Sequence, residues 1–333
     1  MRKRSYIWLK TSILKDYTTN LKYTIMHDLK AIYVKVKGTI KEHCKEYFVF
    51  EENIQKYPRS PKMTDLEVIS LSITAECLQI DSENLLWSKL QTDYSELFPQ
   101  LPHRTKFNKR RKRLVDILGG CIRNLSEILC AGTNSKILII DSMPIPTCRL
   151  VREYNSKACR QSKFDEVLAD KGINAIMGGW FIGYKFHLIT TETGIYKEMM
   201  ISSASVHDNY FLKLLDDNHT HLKQHELVGD RAYIGKAIQL SLFEDLEIKL
   251  NVPFRSNQKD FIKYEPEKKI IRKTIEVIFS QYCDEFNIKK NYAKRFEGLY
   301  TRIVTKVSAK TFKQFINFIN GKPINQTKHA LAA

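Results

Sequence analysis

Two short segments of this chain each end directly on an aspartate, and this feature constrains the fold more than any other. The first, Lys136 to Ile140, is almost wholly apolar and is followed by Asp141. The second, His225 to Gly229, is followed by Asp230. Short apolar runs are typical of central strands buried on both faces of a sheet, and a charged group at such a place is costly unless a cation balances it. The segments predict an open α/β sheet with carboxylates at the carboxyl ends of its strands, where sheets of this class bind ligands.

The periodicity of the apolar residues changes near residue 135, and this change divides the chain. Before it the patterns are helical. A capping box of Thr64 and Glu67 opens a helix predicted to reach Ile80, and Asp81 or Ser82 can cap the next helix. A long third helix is predicted over 105–129. The later predicted elements are strands over 180–190, 195–203 and 249–254, and helices over 210–215, over 234–246 and from about residue 268.

The predicted third helix begins with a basic stripe. Its members are spaced so that they share one helix face, and they are Lys106, Lys109, Arg110 and Arg113. Two helices, a break at Pro99 and Pro102 and this third helix resemble a helix-turn-helix whose last member reads a DNA groove. The alternative is a charged face exposed to solvent, which is the usual meaning of a charge run.

The net charge is +17, from 54 Lys and Arg against 37 Asp and Glu. A strong excess of cations favours a polyanionic partner, with nucleic acid the leading candidate, although many proteins are basic for solubility alone. Nucleic acid is therefore a candidate partner, and a groove-reading helix of the kind described above would make it double-stranded DNA.

Compartment and targeting signals favour the cytoplasm. None of the seven cysteines forms a C-x-x-C pair, so neither a zinc site nor a disulfide framework is indicated. No apolar run approaches the roughly 18 residues that span a bilayer, so no membrane association is expected. The basic start lacks a cleavage site, so no export is predicted. Met26 could be an alternative start, which would make residues 1–25 an N-terminal extension.

A third carboxylate, Glu276, lies at the edge of the apolar face of the helix predicted from residue 268, one turn after Arg272. Oxygen-only ligands such as these suit Mg²⁺ or Mn²⁺. Two such ions can activate a water or a 3′-hydroxyl for displacement at phosphorus. A chain with 37 acidic residues offers many triples, and other acids near Glu276 compete for the third place. These are Glu265, Glu267, Asp284 and Glu285.

Five ordered motifs resemble the DDE transposases of bacterial insertion sequences, and most of all the insertion sequence 982 group. The motifs are IIDSMPIP (139–146), GWFIGYKFHLITTETG (179–194), SASVHD (203–208), VGDRAYIG (228–235) and RKTIEVIFSQ (272–281). The resemblance runs from about Met26 to the C-terminus. Related transposases often carry a Tyr-Arg-Glu-Lys signature, of which Arg272 and Glu276 are present, whereas Lys269 and Cys283 replace its Tyr and Lys.

The resemblance implies a ribonuclease-H-like mixed sheet with flanking helices over 135–320, preceded by an α-helical DNA-binding region over 26–132 and followed by a tail, 321–333. It implies that Asp141, Asp230 and Glu276 are the catalytic and metal-binding triad, with Mg²⁺ as cofactor and Mn²⁺ as a substitute. The implied reaction is cleavage of element ends and their transfer into target DNA. Terminal repeats, target DNA and further copies of the chain would be the partners, in the cytoplasm at the nucleoid.

Further residues are candidates for DNA contacts. Lys185 shares one face of a predicted strand with His187, Arg255 and Lys259 lie in a basic loop, and Arg272 could hold a phosphate or orient Glu276. The alternatives are an exposed strand edge, a solvated loop and an ion pair worth about 0.2 to 0.5 kcal/mol.

Other roles remain open at this point. His207 and Asp208 resemble a catalytic His-carboxylate pair, although an Asp before a helix is also an ordinary cap. Two other functions are compatible with the sequence: a DNA-binding protein without catalysis, such as a regulator or a decayed element, and a nuclease that cuts without joining.

Overall fold

The computed structural model describes residues 28–133, 135–148, 150–155, 167–174, 179–254, 264–290 and 292–331. The predicted extension over 1–25 and the predicted DNA contacts Arg255 and Lys259 lie outside these residues. The described helices are α1 (Leu29–His43), α2 (Asp65–Cys77), α3 (Glu83–Thr92), α4 (Arg104–Arg113), α5 (Val115–Ala131), α6 (Asn209–Lys213), α7 (Lys236–Leu246), α8 (Pro266–Asp284) and α9 (Phe296–Ile319). The described strands are β1 (Ile137–Cys148), β2 (Asp170–Asn174), β3 (Gly179–Thr191), β4 (Tyr196–Ser203), β5 (Glu226–Val228) and β6 (Lys249–Asn251).

The N-terminal helices begin where their capping residues predict. The Thr64 hydroxyl accepts from the Glu67 amide at 3.1 Å, and the Glu67 carboxylate accepts from the Thr64 amide at 2.9 Å, so the capping box of α2 is complete. The Ser82 side chain accepts from the Leu85 amide and caps α3. Local sequence therefore determines where α2 and α3 start.

The long helix predicted over 105–129 is instead two helices, α4 and α5, separated at Leu114. Leu114 is buried, and its amide is shared between the carbonyls of Arg110 and Arg111. The two helices share α9 as a neighbour but otherwise pack differently, because α4 packs against α2 and α3 whereas α5 packs against α1 and β4. The break lets each segment turn its apolar face to its own partner.

The central helix of the fold is α9, which is buried from Thr301 to Asn317. It packs against α5, α2 and α4 of the N-terminal region and also contacts β4. One continuous cluster of buried apolar residues runs from α1 to α9 and includes residues of the sheet. The division into domains over 26–132 and 135–320 stays a prediction, and the core itself has no break at that boundary.

The sheet has six strands in the order β2-β3-β1-β5-β6, with β4 also paired to β3. Pairing is antiparallel between β1 and β3 and between β3 and both β2 and β4, and it is parallel from β1 to β5 to β6. Strands β2 and β4 follow one another along the edge of β3 that faces away from β1. This mixed sheet with flanking helices fits the predicted ribonuclease-H-like architecture. No sequence pattern predicts β2, whose residues, DKGIN, include a single large apolar side chain.

Strand β1 is longer than the sequence indicates. The apolar run predicts an end at Ile140, but the strand continues to Cys148, so Asp141 lies within the strand and not just past its end. Parallel pairing with β5 stops at Ile139, whereas antiparallel pairing with β3 continues. Beyond Ile139 β1 is therefore an edge strand, and an edge tolerates Pro144 and Pro146, which lack a backbone N–H.

In the part of the chain that the structure describes, no helix is both long enough and apolar enough to cross a membrane.

Candidate active site

The strand register brings Asp141 and Asp230 together. Ile139 of β1 pairs with Val228 of β5, and this is the last pair between the two strands. Asp141 and Asp230 are each two residues beyond it, and side chains two residues apart in extended chain point to the same face. The carboxylates therefore lie side by side where β1 and β5 separate.

Asp141 is held in an environment that disfavours its charge. Its side chain is 19% exposed. Burial, joined by the negative charges of Asp230 and Asp208, raises its pKa to about 7, against the opposing effects of a 2.7 Å hydrogen bond from the Ser142 amide and of Arg272. A carboxylate kept in such surroundings is a sign of a functional site.

Asp230 is fixed by the backbone that follows it. It caps the short 3-10 turn Arg231–Tyr233, and one of its carboxylate oxygens accepts a 2.8 Å hydrogen bond from the Ala232 amide. Tyr233 is fully buried beneath the site, where burial and then Asp141, Asp208 and Asp230 raise the pKa of its hydroxyl. The turn thus anchors Asp230 through a buried aromatic ring.

The helix that carries Glu276 packs its apolar face on the sheet, as predicted. Ile275 and Ile278 of α8 are buried, whereas the Glu276 side chain is 52% exposed. Arg272 lies between the carboxylates, with Nη2 2.9 Å from Glu276 Oε1 and Nη1 3.6 Å from Asp141 Oδ2. Glu276 is therefore connected to Asp141 through the Arg272 guanidinium.

The carboxylate oxygens of this site are the kind of donor atom that a hard divalent cation prefers. Asp141 and Asp230 offer adjacent carboxylate oxygens, which suit a hard ion such as Mg²⁺ and would be relieved of mutual repulsion by it. Among the described residues, no group of three or more His, Cys, Asp or Glu side chains is arranged to hold a metal ion. The pair Asp141 and Asp230 fits a metal, and Glu276 joins them only if Arg272 gives up its present contacts.

Asp208 is a fourth carboxylate at the site. Its Oδ1 accepts from the Ser142 hydroxyl at 3.0 Å and from the Lys185 ammonium at 3.1 Å. Asp208 precedes α6 but makes no side-chain cap for it, so the capping interpretation is wrong. The exposed His207 accepts from the Asn209 amide instead of pairing with a catalytic carboxylate. The SASVHD motif is the available signal for Asp208, but it does not reveal that Ser142 and Lys185 are its partners.

The face of β3 that carries Lys185 and His187 is covered and not open to solvent. The Lys185 ammonium donates to the Val206 carbonyl at 2.9 Å as well as to Asp208. His187 is fully buried, its Nε2 is 2.8 Å from the Ser202 hydroxyl, and burial lowers its pKa to about 4. The structure therefore gives Lys185 internal partners, and the DNA contact expected for it stays a prediction.

The basic stripe of α4 is divided by its surroundings. Lys106, Lys109 and Arg113 are exposed. Arg110 turns inward, with Nε 2.6 Å from the fully buried carboxylate of Asp65 and its guanidinium over the Tyr57 ring. Three members of the stripe are thus available to a partner, and Arg110 holds α4 on α2.

A comparison with known protein families bears on these residues. Residues 131–295 match the transposase DDE domain family. The match contains all six strands and the three predicted carboxylates, and it supports a transposase that acts on DNA with divalent metal ions. The DDE domain so defined ends one residue before α9 begins. Searches of curated proteins and of solved structures found no match.

Proposed function

We propose that this chain is an insertion-sequence transposase that cleaves the ends of its element and joins them to target DNA by two-metal-ion hydrolysis and transesterification. The observation that carries the proposal is the register of β1 and β5, in which Asp141 and Asp230 each follow the last paired residues by two positions. The five motifs favour a member of the insertion sequence 982 group.

The charged residues of the candidate active site have different roles in the proposed reaction. Asp141 and Asp230 would hold divalent cations, Mg²⁺ or Mn²⁺, because their carboxylate oxygens lie next to each other at the ends of the paired segments of β1 and β5. When bound, such ions activate a water or a 3′-hydroxyl and stabilise the departing oxygen. Arg272 leaves Asp141 for a DNA phosphate, which frees Glu276 to complete the ligand set. Exchange of a carboxylate for a phosphate keeps the guanidinium in a charge-assisted pair.

Around this centre, Asp208 with Lys185 and Ser142 positions the part of β1 that β5 does not support. The exposed cations of α4 bind the terminal repeats, so the N-terminal helices act as the DNA-binding region. Two element ends must be brought together, and the protein therefore works as a homo-oligomer on DNA, in the cytoplasm at the nucleoid.

One observation favours the rival that binds DNA without cutting it. Arg272 occupies the place between Asp141 and Glu276, and a guanidinium fixed there would exclude a cation. The rival predicts DNA binding without any Mg²⁺-dependent product.

The test is an assay with labelled element ends and a target duplex in Mg²⁺. Asp141→Asn and Asp230→Asn should each abolish cleavage and leave binding of the ends nearly unchanged, because the metals act on the transition state more than on docking. The matched control is Asp217→Asn at an exposed aspartate, which should cleave and join like the unaltered protein. Cleavage without joining would identify a nuclease, and binding without cleavage by the unaltered protein would identify the non-catalytic rival. Cleavage by Asp141→Asn would remove that residue from the site.

A further inference from the structure

A cavity of about 820 Å³ lies outside the candidate active site, between the amino end of α3, one face of α4 and the amino end of α9. It shares no lining residue with the carboxylate site. Two acidic side chains, Asp81 and Glu83, line it together with six cations. The cations are Arg104, Arg111, Lys112, Lys294, Arg295 and Arg302. The wall therefore has an excess of positive charge.

Two of these cations are almost completely buried. The side chains of Arg111 and Arg302 are only 10% and 9% exposed. Arg111 Nη2 donates to Glu83 at 3.0 Å, and Arg302 Nη2 donates to the Asp81 carbonyl at 2.8 Å. In both guanidinium groups Nε has no hydrogen-bond partner in the described part of the chain. Buried charges with unused donors are costly, and an anion in the cavity would offset that cost.

The amino end of α9 points to the same kind of ligand. Arg295, its N-cap residue, provides no side-chain acceptor for the first amides of the helix. Helix amino ends carry partial positive charge and unpaired N–H groups, which favour phosphate. Glu297 offsets this in part, and its carboxylate is paired with Lys112 at 2.9 Å.

The rim of the cavity suits a strand of nucleic acid better than a small ion. Lys294 and Arg295 are exposed, and within the described ranges neither has an ion pair. Tyr292 is 70% exposed beside them, with the Arg302 guanidinium 5.9 Å from its ring centre. Cations with an adjacent aromatic ring are the usual surface for a phosphodiester backbone and its bases.

We propose that this cavity is a second DNA-binding site, which holds a backbone phosphate between α3, α4 and α9. The proposal rests on the proposed function only in taking DNA as the partner. It concerns cations that lie apart from the exposed stripe of α4 and outside the DDE domain's carboxylate centre.

The test compares two double variants by the salt dependence of their affinity for a labelled end duplex, measured by fluorescence anisotropy. Lys294→Ala with Arg295→Ala removes two rim cations, and Lys35→Ala with Lys322→Ala removes the same charge at exposed positions away from the cavity. Removing one cation that neutralises a phosphate lowers the slope of log affinity against log salt by about 0.9. The slope of the cavity variant should fall by up to about 1.8, and this variant should bind at least roughly tenfold more weakly at about 0.1 M salt. The control should keep the slope of the unaltered protein, and both variants should melt at its temperature.

Equal slopes for the two double variants would overturn the proposal. So would inorganic phosphate that raises the melting temperature of the unaltered protein but not of the cavity variant while DNA affinity stays the same, because that result assigns the cavity to a free anion. If the cavity determines DNA affinity but the unaltered protein never cleaves, the second binding site stands and the proposed function fails. If the protein cleaves and joins while the slopes are equal, only the second site fails.

Discussion

Asp141 combines three unfavourable conditions in one side chain: burial, a neighbouring Asp230 and a nearby Asp208. Together they raise its pKa to about 7. Among the described residues, Arg272 supplies the opposing charge, at 3.6 Å. A bound divalent cation would relieve all three conditions, which connects the energetic cost of this residue to its proposed function.

Asp141→Asn should therefore stabilise the metal-free protein at pH 8. In the unfolded chain this carboxyl has its ordinary pKa of 3.8, and in the folded protein the pKa is about 7. Between these values the folded state binds more protons than the unfolded state, so stability falls as pH rises, and the full penalty is present above pH 7. The amide removes the penalty, which is on the order of a few kcal/mol.

Thermal unfolding in EDTA at pH 4 and pH 8 measures this effect. The melting temperature of Asp141→Asn should be higher than that of the unaltered protein at pH 8 and nearly equal to it at pH 4. The melting temperature of Asp217→Asn should change little at either pH. A variant that melts below the unaltered protein at pH 8 would show that burial does not penalise this charge.

Asp208 and Lys185 should be energetically coupled through their 3.1 Å ion pair. Asp208→Asn leaves a partly buried ammonium with reduced compensation, and Lys185→Met leaves a partly buried carboxylate. The destabilisation of the double variant should therefore be smaller than the sum of the two single effects, by about 1 kcal/mol. Urea unfolding of the unaltered protein, the two single variants and the double variant measures the coupling free energy. Strictly additive effects would show that this ion pair does not stabilise β1.

At the scale of elements, α4 has two faces with different tasks. Lys106→Ala, Lys109→Ala and Arg113→Ala together should reduce the salt slope of DNA binding by about 0.9 for every phosphate that these cations neutralise, with little change in stability. Arg110→Ala should instead destabilise the fold by about 3 to 5 kcal/mol, because the buried Asp65 carboxylate loses its countercharge and keeps only neutral donors, Tyr57 and Ile54. Anisotropy and urea unfolding of both variants distinguish the faces, and an unchanged slope in the triple variant would mean that its cations only face solvent.

The central helix α9 carries a buried lysine whose ammonium has no hydrogen-bond partner among the described residues, Lys310. Burial lowers its pKa from 10.5 to about 7. Between these values the unfolded chain binds the extra proton, so stability rises with pH across this window, and below pH 7 the full cost of a buried charge is present.

Lys310→Met should remove that cost because it keeps the length of the side chain and discards the charge. The variant should be more stable at pH 7, and the rise in stability between pH 7 and pH 10 should become flatter. Urea unfolding at several pH values measures both, and a less stable variant at pH 7 would show that the ammonium is satisfied in the folded protein.

The sequence predicts elements well where the determining interactions are local. The capping box of Thr64 and the serine cap of α3 act within one turn. The extension of β1 past Asp141 and the break at Leu114 depend on which distant element packs alongside, so no window of sequence reveals them.

The same distinction holds for the candidate site. Asp141 and Asp230 could be identified because each directly follows a short segment that the sequence predicts to be a central strand. The inward turn of Arg110 depends on Asp65, 45 positions away, and the link from Arg272 to Asp141 spans the sheet and α8. Such pairings are consequences of the tertiary fold and have no sequence signature of their own.

At the scale of the whole molecule, the helical region and part of the sheet contribute to one cluster of buried apolar residues, which also includes α9. The family match stops at Arg295, so α9 follows the DDE domain in sequence but packs among the N-terminal helices. Lys306 of α9 is buried and bonded to Glu76 of α2 and to Asp81. The helices that we propose to hold DNA are thereby joined to the sheet through a packed helix.

In the proposed function, Glu276 completes the catalytic site after Arg272 exchanges Asp141 for a DNA phosphate. The most direct measurement is joining of labelled element ends to a target duplex, in Mg²⁺ and in Mn²⁺, by Glu276→Gln and by the matched control Glu267→Gln in the exposed first turn of α8. Glu276→Gln should bind element ends normally but yield no joined product with either metal, because an amide lacks the charge that a second hard cation requires. Glu267→Gln should join at the rate of the unaltered protein. Full joining by Glu276→Gln would show that Glu276 does not belong to the catalytic site.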